Sequence, residues 1–181
     1  MELPEDIPRA HLPLVEAFED LNEAFQLHQD GMTARNIPVA LQPAWRSFLS
    51  TRHDNPDSPS AMGPGSVRAF RDHLFSLMTT VPEAATRARA PTLDRWCVIR
   101  SRGDCLLIGR VNGHPLLREN ARATTSPLFR IAAADGWART WSRIYRLLAP
   151  DPSFFLDLQR DDRLRPDTEI VWEMMPGSSL H

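Results

Sequence analysis

Trp96-Cys97-Val98-Ile99-Arg100-Ser101-Arg102-Gly103-Asp104-Cys105-Leu106-Leu107-Ile108-Gly109-Arg110-Val111-Asn112-Gly113 decides the fold class. Two apolar runs of strand length flank Arg102-Gly103, and a second turn signal, Asn112-Gly113, closes the far end. Asn-Gly between apolar runs is the strongest short-range sign of a hairpin. A two-residue turn at Arg102-Gly103 sets Cys105 opposite Arg100 and leaves Cys97 without a thiol partner. Both cysteines are therefore expected as free thiols, in keeping with a cytoplasmic chain.

Working outward, His114-Pro115-Leu116-Leu117 continues the pattern as a third strand, and residues 127–132 return as another. Asp135-Gly136 then opens residues 137–148, which read as an amphipathic helix. Trp137, Trp141, Ile144 and Leu148 share one stripe at helical spacing, and Arg139, Arg143 and Arg146 lie on the opposite side. A short helix is expected from Pro152 to Leu158 and a last strand over residues 169–172.

On the N-terminal side, Ser66 is a cap for a helix that carries Val67, Phe70, Leu74, Leu77 and Met78 and ends at Pro82. Residues 53–66, dense in proline, glycine, serine and aspartate, read as a flexible linker. Pro43 starts a short helix to Thr51. Residues 8–29 form an acidic amphipathic helix whose seam is Leu14, Phe18, Leu21 and Phe25. The expectation is an α+β protein: N-terminal helices, then a small antiparallel β-meander packed against the helix 137–148. By domain, residues 1–52 are a helical arm, 53–66 a linker and 67–181 an α+β domain with its meander core at 95–148.

With 42% hydrophobic and 24% charged residues, the chain has the composition of a folded domain. No run reaches the roughly 18 apolar residues of a membrane helix, and Met1-Glu2-Leu3-Pro4-Glu5-Asp6 is acidic where a signal peptide is basic. A cytoplasmic location without membrane contact is expected. All 21 basic side chains are arginine, which removes Schiff-base and P-loop lysine chemistry. The net charge of −2 conceals a segregation. Residues 1–30 hold eight acids and one arginine, and residues 86–147 hold twelve arginines and four acids. A basic middle between acidic ends binds a polyanion or the chain's own ends.

Three stretches carry a resemblance: His114-Pro115-Leu116-Leu117, Thr124-Thr125-Ser126, and Asp135-Gly136-Trp137-Ala138-Arg139-Thr140-Trp141-Ser142-Arg143-Ile144-Tyr145-Arg146-Leu147. Over residues 96–147 the chain resembles a family of small uncharacterised proteobacterial proteins. The resemblance implies a module and no activity, and it leaves the helices before residue 90 outside.

Chemical signatures are sparse. Cys105 with His114 is the nearest approach to a thiol nucleophile and base, but an apolar strand raises a thiol pKa and makes a structural cysteine the ordinary reading. No Cys-x-x-Cys or His-x-x-x-His spacing makes a metal site, and neither glycine-rich phosphate motif occurs, so no metal and no cofactor is expected. Two binding readings remain. The preferred one is a non-enzymatic, regulatory protein that uses Leu14, Phe18, Leu21 and Phe25 to contact a protein partner or a second copy. The alternative is nucleic-acid binding through an arginine patch of Arg139, Arg143 and Arg146, backed by Arg100, Arg110 and Arg130.

Overall fold

A computed structural model describes residues 13–28, 31–51 and 63–176. The opening hairpin forms as its turn chemistry dictates. Strand β1 (Thr92–Ser101) pairs antiparallel with β2 (Asp104–Asn112), and Arg100 faces Cys105. Arg102 and Gly103 both take positive φ, 54° and 84°, as a type I′ turn requires. Register shifts between Asp94 and Cys97, where Arg95 sits at φ 49°. The bulge brings backbone so close to Gly109 that a Cβ there would lie 2.8 Å from the Asp94 carbonyl oxygen, which explains a glycine inside an apolar strand.

The third strand is β3 (Ala121–Thr124), not His114–Leu117. Pro115 has no N–H to give to a ladder, and local bonds capture the loop instead. The His114 Nδ1 accepts from the Leu116 N–H, Glu119 accepts from the Gly113 N–H, and the Asn112 Oδ1 accepts from the Asn120 N–H. Strand β4 (Leu128–Ala132) follows as expected.

The expected helix 137–148 does not exist. Its residues form a second hairpin, β5 (Trp137–Thr140) and β6 (Ile144–Leu147). Ala138, Thr140, Tyr145 and Leu147 alternate inward and are all buried, so a period of two prevails over the coincident period of 3.6. Gly136, at φ 70°, turns the chain from β4 into β5. Aromatic and β-branched residues at 137, 140, 141, 144 and 145 favour the strand reading.

The strands form one sheet in the order β3-β2-β1-β6-β5-β4. β1 and β6 run parallel, Thr92 against Arg146 and Leu93 against Leu147, so the sheet is mixed and not the purely antiparallel meander expected. A short strand β7 (Glu169–Ile170) pairs with the other end of β1. The sheet curls, so that β4 comes against β2.

Helices α1 (Pro13–His28), α2 (Gln42–Thr51), α3 (Pro64–Thr79) and α4 (Ala84–Arg89) precede the sheet, and α5 (Pro152–Arg160) follows it with Asp151 as N-cap. Leu14, Phe18, Leu21 and Phe25 do not face solvent: each retains 7% or less of its surface. Phe18 meets Phe75 of α3 at 6.2 Å between ring centroids, and Trp45, Phe48 and Phe70 form an aromatic cluster between α2 and α3. One apolar core runs from these helices through β1–β6 to α5. In the expected linker, residues 53–62 lie outside the described residues; Gly63 caps α3 and Pro64 occupies its first turn, so Ser66 is not the cap. No helix among the described residues is long and apolar enough to cross a membrane.

Candidate functional site

The arginines of the basic middle meet several separate fates. Arg130 is buried and aligned with the C-terminus of α3, where its Nη1 donates to the carbonyls of Met78 (3.3 Å) and Thr79 (3.0 Å). A cation there satisfies carbonyls that the helix leaves open and opposes its dipole. Its guanidinium also lies over the Trp137 ring, 5.4 Å from the centroid. On β1 and β2, Arg100 pairs with Glu169 of β7 at 3.3 Å, and Arg110 donates to the Asn120 carbonyl at 3.1 Å. Arg95, in the bulge, holds Asp151 at 2.7 Å, and the bonds from Ser153 and Arg95 hold that carboxyl below its ordinary range.

Register brings three of the six expected arginines onto one sheet face. Arg130 faces Arg139 across β4 and β5, and Arg146 of β6 faces Trp137, two residues from Arg139 on the same strand. Arg143 stands in the turn between β5 and β6, while Arg100 and Arg110 belong to the other hairpin. Arg139 is the anomaly. Its Nε is buried without a hydrogen-bond partner, and burial lowers its pKa. Burial, then the Arg139 charge, holds the nearby His73 below the usual histidine value, and that ring stands edge-on to Trp141 at 5.6 Å.

Cys105 and His114 are not brought together. They stand near opposite ends of β2, separated by a strand length of about 20 Å. Both cysteines are buried free thiols. Burial, with Asp151 second, pushes the Cys97 thiol up to about 12, and burial raises Cys105 as well. Among the described residues no three His, Cys, Asp or Glu side chains gather as a metal site.

A further feature lies where the acidic C-terminal part of the chain returns to the sheet. Phe155, Leu156 and Gln159 of α5 face Thr168, Glu169, Ile170 and Trp172 across an open groove of about 380 Å³. Its rim is apolar and exposed, with Leu156 retaining 55% and Trp172 52% of their surface. β7 spends one edge on β1, through Ile99 against Ile170, and no other described strand pairs with it. The helix and the strand on either side are legible in the sequence, but the groove between them is not. Its residues come from two segments, 155–159 and 168–172, and only the exposure of some of them distinguishes them from core.

Residues 67–152 match a family of unknown function (DUF6634). The match runs from α3 to the start of α5, so it takes in helices before residue 90 that the resemblance left out, and it carries no activity. No curated protein and no solved structure matches the chain.

Proposed function

We propose that this protein is a non-catalytic cytoplasmic binding module that captures an extended segment of a partner protein in the groove between α5 and β7. The observation that carries the reading is Trp172: a large ring held half-exposed beside Leu156 at an open strand edge. Tryptophan in a partly desolvated pocket is the commonest kind of interface anchor, and an unpaired strand edge accepts a peptide backbone. Glu169, already paired with Arg100, lines the groove and Glu173 flanks it, both exposed, so a partner with an apolar anchor and a basic neighbour to meet Glu173 fits best.

Selection of displayed peptides against the native protein tests this. Sequences with a large apolar residue flanked by Lys or Arg should be enriched, and Trp172→Ala should remove the enrichment, with affinity for any selected peptide falling roughly thirty-fold. A selection that yields no common pattern, or one indifferent to Trp172, ends the proposal.

Arg139 favours a second reading, in which an anionic group docks on the face shared by Arg130, Arg139 and Arg146. A buried guanidinium nitrogen without an acceptor is the place where a phosphate oxygen would gain most. Binding of a single-stranded oligonucleotide that weakens steeply with salt would support it, and salt-independent or undetectable binding would remove it.

A further inference from the structure

A second, smaller pocket, partly open to solvent, lies where α1 and α2 meet the sheet. Leu14 of α1, Ala44 and Ser47 of α2, Phe129 of β4 and the Trp141 ring line a space of about 90 Å³. Into this lining, apolar but for Ser47, the first residue of β2 brings a carboxylate, Asp104. No hydrogen bond or ion pair joins that carboxylate to another described residue, and burial raises its pKa. The carboxylate is half-buried, so it keeps only part of its hydration beside the apolar wall, and a cation seated in the pocket would make good what is lost. The turn itself does not demand the carboxylate, since its conformation is carried by Arg102 and Gly103.

We infer that the Asp104 pocket receives an ammonium group carried on a short apolar stem. The carboxylate supplies the counter-charge, the Trp141 and Phe129 rings, 5.8 Å apart, supply an aromatic wall, and Leu14 and Ala44 take the stem. Size sets the limit. A cavity of roughly 150 Å³ admits benzene, so about 90 Å³ suits a chain of a few carbons and excludes an aromatic amine. Donor count separates ammonium from guanidinium. A compact ammonium can sit against the one carboxylate with the Ser47 hydroxyl also in the lining, whereas a planar guanidinium with five donors fits so small a space less well. Because the chain contains no lysine, no side-chain ammonium of a second copy can fill the pocket. The ligand is a free alkylamine or the lysine of another protein.

The test follows the indole N–H of Trp141 by NMR, assigned among the five tryptophans by its loss in Trp141→Phe. The native protein is titrated with n-butylammonium, with n-butanol and n-butyrate at equal concentrations, and with N-acetyl-lysine methylamide. Saturable shifts of Trp141 and of the 101–104 turn with n-butylammonium, absent with the alcohol and the acid, are expected. Asp104→Asn should weaken binding tenfold or more, and Ala44→Phe, which fills the space but keeps the carboxylate, should abolish it. Tighter binding of the lysine derivative identifies a protein side chain as the source, and tighter binding of the free amine identifies a small metabolite. Equal shifts from butanol, unchanged binding by Asp104→Asn, or no saturable shift of the native protein overturns the inference. The native protein's own discrimination between cation and alcohol decides the matter even if a variant fails to fold.

Discussion

On α1, Leu14, Phe18, Leu21 and Phe25 are lost to solvent against α3 and the sheet, while beyond α5 the equally apolar Leu156 and Trp172 stay half in water. Both sets look alike as sequence, because each is a cluster of large hydrophobic residues beside acidic ones. The difference is topological. α1 lies over a core already begun by α2 and α3, whereas β7 is a two-residue strand that pairs with β1 alone among the described strands. Amphipathicity says that an apolar surface needs a partner; only the fold says whether the chain supplies it.

The largest expected effect is on the buried side of that comparison. Phe18→Asp removes a ring that is almost wholly enclosed and buries a charge in its place, so it should cost more than the about 3–5 kcal/mol of a Phe→Ala change. Chemical denaturation would show a chain unfolded or nearly so. A folded Phe18→Asp protein that had merely lost self-association would restore the seam to the role of contact surface.

Arg130 and Arg139 repeat the contrast on a smaller scale, since they face each other across β4 and β5 but only one has acceptors at its buried end. Arg130→Met should cost about 2 kcal/mol, because charge-assisted bonds to the last carbonyls of α3 go and those carbonyls stay covered. Urea melts of the single variant read this directly. An unchanged midpoint would mean that the contact with α3 contributes nothing to stability.

At the groove the expected effect on folding is small, and that is the point. Trp172→Ala should leave stability within about 0.5 kcal/mol, as surface changes do, while removing peptide capture. A loss comparable with that of Arg130→Met would show that Trp172 holds its own chain together.

How much of this could be read in advance depended on the range of the forces concerned. The first hairpin was legible because its turn residues act locally: Gly103 permits the positive φ that sets the register of Arg100 against Cys105. Residues 137–148 were misread because Trp137, Trp141, Ile144 and Leu148 fall at helical spacing by coincidence, whereas Ala138, Thr140, Tyr145 and Leu147 turn inward, and the deciding interactions are distant. β6 gains its place by lying parallel to β1, whose residues are about fifty positions away. The arginine expectation failed for Arg100 and Arg110 for a related reason. They belong to another hairpin and are engaged by Glu169 and the Asn120 carbonyl, while the face holding Arg130, Arg139 and Arg146 appears only when β4, β5 and β6 pair. The groove and the Asp104 pocket had no sequence signal, since each forms only when separate elements pack together.

The smallest effect tests the least comfortable residue. Arg139→Met removes a desolvated cation whose Nε finds no acceptor, so stability should stay constant or rise slightly, in contrast with Arg130→Met. The same change should let His73 titrate higher, because burial and the Arg139 charge both hold its pKa down and only the second is removed. The sign follows from linkage. With a depressed folded value, the unfolded chain takes up its proton first as pH falls through about 6.5, and stability declines until the folded value is passed. Arg139→Met narrows that window, so the variant should lose less stability on acidification than the parent. NMR titration of the His73 ring gives the shift, and melts on either side of the window give its energetic counterpart. An unmoved His73 would place the Arg139 charge elsewhere, and with it the anion site that the second functional reading needs.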